Sequence, residues 1–527
     1  MSDLPMFPGT FHVYDTTLRD GTQQEGVHLT VIDKLRVAGA LDQLGVGFIE
    51  GGWPGANPND TAFFAAARTQ LTLNNAVLTA FGSTRKAGVA VEEDPLVQAL
   101  LDAQTDVVCL VAKSHDGHVL RALHTTLDEN LAMIHDTVSY LVAHGKRVFL
   151  DAEHYFDGYR VNPGYALDVV RTAAESGAEV VVLCDTNGGM IPTRISEIVQ
   201  ATSEVGASLG VHCHNDTGCA VANTLAAVEA GAIHVQGTVN GVGERTGNAD
   251  LIAVIANLQL KFGWPVVSDE SLRDSTRIAH AVAATSNIAV AARQPYVGRS
   301  AFAHKAGLHA AAIKVDANLY QHIDPTLVGN DMRMLVSDLA GRASVQIKAA
   351  ALGYELDDRQ LAAQITDTIK DREARGYSYE SADASFELVM REALGMEDEF
   401  FEVESWRVLT GSSTTPDGDS EAVVKLRIGD DSEALVGEGY GPLNALDVAL
   451  RHALVHAYPQ VGEFELTDYR VRILDQGHGT DTIVRTLIDT SDGKRTWTTV
   501  GVGTNVIEAS WEALSDAYRW GLTKVLG

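Results

Sequence analysis

The sequence predicts an α/β protein with three parts: an N-terminal (β/α)8 TIM barrel, a helical connector and a C-terminal α+β domain built on a duplicated β-β-β-α module. Three observations carry this. Eight short apolar, β-branched runs alternate with helical stretches over the first 270 residues; the strand signal then fades; and after about Phe400 one strand, glycine and helix pattern occurs twice. A chain of 527 residues exceeds what one hydrophobic core organises. The divisions expected are a catalytic barrel over 1–270, a connector completing the active site over 271–399 and a regulatory domain over 400–527.

The eight runs are FHVYDTT from Phe11, VGFIEGGW from Val46, NAVLTAFGS from Asn75, DVVCLVA from Asp106, RVFLDAE from Arg147, EVVVLCDT from Glu179, LGVHCHND from Leu209 and HVQGTVNG from His234. Helical segments separate most of them, such as TVIDKLRVAGALDQLG after the first and CAVANTLAAVEAG after the seventh. An open doubly wound sheet is the alternative, but the first run is followed by no glycine-rich phosphate loop. The connector, with DSTRIAHAVAATSNIAVAA and DRQLAAQITDTIKDREARG, reads as helical and lacks the Gly/Ser/Pro runs of a flexible linker. In the last part, EAVVKLRIGDDSEALVGEGYGPLNALDVALRHAL resembles TIVRTLIDTSDGKRTWTTVGVGTNVIEASWEAL; Gly437 and Gly439 match Gly501 and Gly503, and each copy reads strand, turn, strand, glycine turn, helix.

Composition narrows the function classes. Hydrophobic residues are 45% and charged residues 21%, and no stretch reaches the ~20 apolar residues of a membrane span. The N-terminus has neither the basic nor the apolar region of an export signal, so a cytoplasmic protein is expected. A net charge of −30 argues against nucleic acid as partner. Four dispersed cysteines, Cys109, Cys184, Cys213 and Cys219, form no CxxC pair and are expected as reduced thiols.

The residues that carry chemistry end the strands. In His212-Cys213-His214, positions i and i+2 of one strand point to one side, so two imidazoles converge. Alone, HxH more often marks two hydrogen-bonded polar residues at a strand end than a metal pair. Its place at the C-terminal end of a barrel strand, where barrel active sites are built, favours a metal. Asp20, after the first run, would supply a hard oxygen and charge compensation, or cap a helix as an Asp before Gly often does. Asn248, in GVGERTGNAD, could add an amide oxygen. Oxygen with imidazole suits Mn²⁺ or Mg²⁺ first, and Zn²⁺ or Co²⁺ after them. Arg19 is a candidate electrophile for a developing alkoxide, or a barrel-mouth ion pair. Glu153 ends the fifth run as a candidate base, and Thr186 ends the sixth as a hydroxyl for a substrate carboxylate. Glu50, in FIEGGWP, either faces substrate or is a buried acid bridging loops.

YDTTLRDGTQ, HCHND, GVGERTGNAD and HKAGLHAAAI followed by NLY resemble, in order and spacing, the isopropylmalate, homocitrate and citramalate synthase family of the DRE-TIM metallolyases. The likeness covers essentially the whole chain. RDGTQ, FIEGGWPGANPND and DAEHYFDGY are most similar to the citramalate-forming branch, whose members condense pyruvate with acetyl-CoA. The resemblance implies that Asp20, His212, His214 and Asn248 surround the metal. Arg19 would polarise the keto oxygen, Thr186 would bind the 2-oxoacid carboxylate and Glu153 would assist proton transfer. His309 and Tyr320 match residues that relatives supply from the connector, often to the partner subunit's active site. A homodimer is implied, with an end-product amino acid, isoleucine, as effector of the C-terminal domain. Two departures, Asp151 where some pyruvate-selective relatives carry an apolar or aromatic residue and Ala311 where some carry an acid, leave 2-oxoisovalerate and 2-oxoglutarate as alternative substrates. A retro-aldol lyase on the same barrel is a further alternative.

Overall fold

A computed structural model describes residues 6–313, 315–335, 342–396, 400–411, 420–474 and 483–526. The chain divides into two compact units, one of residues 1–302 with 323–331, the other of 303–322 with 332–527.

The first unit is a closed barrel of eight parallel strands in sequence order: β1 (His12–Asp15), β2 (Phe48–Glu50), β3 (Val77–Ser83), β4 (Val107–Lys113), β5 (Arg147–Glu153), β6 (Val180–Asp185), β7 (Leu209–Cys213) and β8 (His234–Gly237). All eight apolar runs are strands, and β8 pairs back on β1 through His12 and His234, which excludes the open sheet. The runs are apolar throughout because both faces are covered. On β4, Val108, Leu110 and Ala112 pack outward in the helix layer, while Val107 and Cys109 face the barrel interior. The interior changes character along its axis. At the N-terminal end the rings of His12, Tyr14, Phe48, Phe149 and His234 pack with centroids such as Phe48–Phe149 and Phe149–His234 5.1 Å apart, and burial holds His234 neutral. Toward the C-terminal end the inward positions become polar, with Glu50, Asp151 and Gln236 fully or almost fully buried.

The expected helices follow their end signals. Thr30 and Asp33 form a reciprocal capping box at the start of helix Val31–Leu44, and Gly45, at φ 82°, ends it in the left-handed conformation that glycine tolerates. Among the described residues no helix is long and apolar enough to cross a membrane.

The second unit carries a short parallel pair, β9 (Ala303–His304) and β10 (Arg333–Met334), then helices Arg342–Ala351, Arg359–Ala374 and Asp383–Ala393, so the connector is helical, with one small pairing among its described residues. The duplicated module follows. Its first copy is β11 (Glu402–Thr410), β12 (Ser420–Ile428), β13 (Asp431–Gly439) and helix Pro442–Leu454; its second is β14 (Glu465–Ile473), β15 (Val484–Ser491), β16 (Thr496–Gly503) and helix Val506–Leu526. Each copy is an antiparallel three-stranded sheet in sequence order, and each first strand carries a register shift at its start, at Val403/Ser405 and at Leu466/Asp468.

The matched glycines are not in turns. They end the third strand of each copy, where the helix backbone leaves no room for a side chain: a Cβ on Gly437 would lie 2.5 Å from Ala445 O, and one on Gly501 2.0 Å from Ala509 O. Gly501→Ala is therefore expected to destabilise the second unit by about 1–3 kcal/mol or more. Gly462→Ala, whose Cβ would meet nothing closer than 3.9 Å, should stay within about 0.5 kcal/mol of wild type. Chemical denaturation of the two variants followed by tryptophan fluorescence checks the pair.

Candidate active site

The site grows out of the first βα turn. Beyond β1 the chain turns at Thr16 and Thr17 and presents Arg19 and Asp20 ahead of the short helical turn Gly21–Gln23. Asp20 makes no side-chain capping bond to that turn. Its Oδ2 accepts from Arg19 Nη1 at 2.8 Å and its Oδ1 from Asn248 Nδ2 at 2.8 Å. Across the barrel mouth, the two-residue period of β7 brings the rings of His212 and His214 to 5.1 Å, while Cys213 packs in the outer core.

The ligand atoms of Asp20, His212 and His214 lie within 4.8 Å of one another, with His212 Nε2 3.9 Å from Asp20 Oδ2. An ion about 2.0–2.2 Å from each nitrogen and oxygen fits that spacing. Two buried atoms without a hydrogen-bond partner, His214 Nδ1 and Asn248 Oδ1, belong to the same group of side chains. Burial, reinforced by His212, lowers the His214 pKa to about 4 and keeps that imidazole neutral, as a ligand must be. Burial pushes the Asp20 carboxyl up, but Arg19, His212, His214 and the Asn248 hydrogen bond together outweigh it and hold the group ionised, below the usual carboxylate range. Gly243 completes the cradle: a Cβ there would lie 2.3 Å from Asn248 Nδ2 and 3.2 Å from Asp20 Oδ1. The residues present fit a divalent cation, with one carboxylate, two imidazoles and an amide oxygen as donors.

Arg19 is fixed from three sides. Nε donates to Glu50 Oε2 at 2.6 Å, Nη2 lies 4.0 Å from Asp151 Oδ2, and the guanidinium carbon sits 3.9 Å from the centroid of the Phe81 ring. Glu50 also accepts from Tyr14 Oη at 2.6 Å and Thr16 Oγ1 at 2.5 Å. It thus bridges strand ends and aims Arg19. Asp151 accepts from Gln236 Nε2 at 2.9 Å and Cys109 Sγ at 3.3 Å; burial, with Glu50 nearby, raises its pKa to about 6. Glu50, Cys109 and Asp151 form a second cluster of potential ligands, but those bonds and the adjacent Arg19 cation already engage them.

Asp20, Arg19, Glu50, His212, His214 and Asn248 thus meet at one mouth. Glu153 and Thr186 end the neighbouring strands β5 and β6; the Glu153 carboxylate pairs with Lys113 Nζ, and Thr186 Oγ1 accepts from His154 N at 2.8 Å, leaving its own proton free to donate. His309 and Tyr320 belong to the second unit, where their rings stack at 4.1 Å. Sequence reasoning did not select Gln236, Cys109, Lys113 or Tyr14. The signal for Gln236 was present, as a polar residue on the inward parity of the eighth run, beside the run that carries HxH.

Residues 10–285 match the HMGL-like family, residues 296–376 the homocitrate synthase post-HMGL domain-like family and residues 380–521 the LeuA allosteric (dimerisation) domain. The chain is 59% identical to the (R)-citramalate synthase of Streptomyces coelicolor, over 98% of this chain and 97% of the relative. It is 48% identical to the (R)-citramalate synthases of Aquifex aeolicus, over 97% of this chain and 98% of the relative, and of Synechocystis, over 97% and 96%.

The turn carrying Arg19 and Asp20 is tied to the eighth strand's loop through Asp15. Its carboxylate accepts from Thr17 N at 2.8 Å and Thr17 Oγ1 at 2.9 Å, and that hydroxyl accepts from Val239 N at 2.9 Å. Burial raises the Asp15 pKa to about 7 against those bonds, from about 3.9 in an unfolded chain. Between these values the native state holds a proton that the unfolded state has lost, so this group's contribution is complete below about pH 4 and is lost as pH rises through 7. Asp15→Asn removes this titration. Denaturation at pH 5 and pH 8 should show a smaller loss of stability at pH 8 in the variant than in wild type, and an equal loss overturns the assignment.

Proposed function

The chain belongs to the HMGL-like family and, within it, to the (R)-citramalate synthases, and from that premise we propose that it condenses acetyl-CoA with pyruvate and water to give (R)-citramalate and free CoA. The observation that carries this reading is a guanidinium held by Glu50 beside a carboxylate and two imidazoles, in a chain that follows citramalate synthases over nearly its full length.

Asp20, His212 and His214, with the Asn248 amide oxygen alongside, would hold a divalent ion, Mn²⁺ or Mg²⁺ by the hardness of the donor set, and its chemistry is Lewis-acid polarisation of the 2-oxoacid carbonyl. Thr186 donates its hydroxyl proton to the oxoacid carboxylate. Arg19, pre-aimed by Glu50 and unable to lose its proton, donates to the oxygen that becomes the alkoxide. Glu153, paired with Lys113, assists removal of the acetyl methyl proton, so that the resulting carbon nucleophile attacks the keto carbon. Water then cleaves the thioester and releases CoA. His309 and Tyr320 are assigned to proton handling in the partner subunit's site of a homodimer, consistent with the LeuA dimerisation match. The same proposal divides the chain at about 270 and 400 into catalytic, connecting and regulatory parts.

Free-CoA release from acetyl-CoA should be fastest with pyruvate in a panel that includes 2-oxoisovalerate and 2-oxoglutarate, should vanish on chelation and should return with Mn²⁺ or Mg²⁺. A preference for either larger oxoacid overturns the substrate assignment, and activity that survives chelation overturns the metal. The match to a LeuA allosteric (dimerisation) domain supports regulation through the C-terminal module, and isoleucine is the effector assigned to it in this proposal. Isoleucine should lower turnover and raise the melting temperature, and the absence of both changes removes it as effector.

A further inference from the structure

We infer that Gln236, anchored by Asp151, is a positioning residue that sets the tautomer of His212 and keeps its Nε2 lone pair turned toward Asp20. The inference rests on the reading of Asp20, His212 and His214 as metal ligands and adds to it the device that presents one of them.

The contacts run in one direction. Gln236 is wholly buried on the inward side of β8, with Oε1 2.7 Å from His212 Nδ1 and Nε2 2.9 Å from Asp151 Oδ1. A carboxamide has a donor end and an acceptor end, and its orientation is fixed by its neighbours. Here the decisive neighbour is Asp151 Oδ1, which also accepts from Cys109 Sγ at 3.3 Å. That oxygen already serves as the acceptor for the Cys109 thiol, so it presents an acceptor to Gln236 as well. The amide nitrogen of Gln236 must therefore face Asp151 and the amide oxygen must face His212. An acceptor at 2.7 Å requires His212 Nδ1 to carry a proton, which in the neutral ring a metal ligand must have leaves the lone pair on Nε2, the atom 3.9 Å from Asp20 Oδ2. The reversed amide would set two oxygens against each other, unpaired, in a buried site.

Glutamine and aspartate in these two places act as one polarised pair. Asp151→Asn offers a donor as well as an acceptor to Gln236, so the amide can turn and His212 can adopt the other tautomer. Gln236→Glu sets a second carboxylate against Asp151. The double variant D151N/Q236E restores the order, because the carboxylate introduced by Q236E can accept from His212 Nδ1 and from the amide introduced by D151N.

The test is the Mn²⁺ dissociation constant of the full-length apoprotein, read from the electron paramagnetic resonance of free Mn²⁺, with the melting temperature of each apo variant alongside. D151N and Q236E are each expected to weaken Mn²⁺ binding about 10- to 100-fold, and D151N/Q236E to return within a few-fold of wild type. A purely structural role predicts accumulating losses in the double variant, and that result, or wild-type affinity in both single variants, overturns the inference. Should a single variant fail to fold, Gln236→Met serves instead: a comparable loss of affinity supports the inference and wild-type affinity overturns it. His214→Ala separates the premise. If it binds Mn²⁺ as wild type does, the metal reading falls and this inference with it; if it loses Mn²⁺ while Q236E does not, this inference alone falls.

Discussion

A guanidinium almost removed from water has to be surrounded by negative charge, and the placement of Arg19 organises the whole barrel mouth. Its side chain is 12% exposed, while the Glu50 side chain that receives Nε is fully buried. Removing one partner of such a pair leaves an uncompensated buried charge, at a cost of about 3–5 kcal/mol. Glu50 is held in turn by the Tyr14 and Thr16 hydroxyls. Arg19 also faces Asp20 and Asp151, so three carboxylates surround one cation. With all three ionised the cluster carries two unbalanced negative charges, which a dication at the proposed Asp20 site would balance. Burial first, and the neighbouring Glu50 charge after it, raise the Asp151 pKa to about 6.

That charge is tolerable because of where the barrel places it. The N-terminal half of the interior is closed by rings from β1, β2, β5 and β8, packed edge to face. Glu50, Asp151 and Gln236 occupy the next levels up, where each has a partner from a neighbouring or facing strand. The strand period of two makes this segregation possible: Phe149, Asp151 and Glu153 follow one another up the inward side of β5, passing from apolar plug to buried acid to the Lys113-paired carboxylate at the rim.

How much of this was legible in the sequence depends on whether the constraint is local. Strand and helix periods are local, and all eight runs and the duplicated module were readable. HxH was readable for the same reason. Asp20 was ambiguous between cap and ligand because both readings use the same Asp-Gly pair; only the distant Asn248 and His212 decide that its carboxylate faces the barrel mouth. Glu50 was ambiguous likewise, and three donors from β1 and the turn beyond it make it the bridge that aims Arg19. Gln236 was missed because an amide's role lies in the order of its donor and acceptor ends, and that order is set by Asp151, 85 positions away.

The C-terminal module shows the converse, a sequence signal read correctly as repetition but with the wrong local cause. Paired glycines before a helix suggest a turn. In both copies they lie at the end of the third strand and exist because the following helix crosses it with backbone atoms inside the space of a Cβ. A turn glycine can move when its loop changes length; a glycine under a crossing helix cannot, because the approach of helix to sheet defines the core on both sides of it. Buried Ala445 and Ala449 above Gly437, and Ala509 and Ala513 above Gly501, are the complementary half of that approach. Each copy therefore retains small residues on both faces of the contact, although the surrounding side chains have diverged. The repeat remains visible in the sequence chiefly because close packing permits little else at those positions.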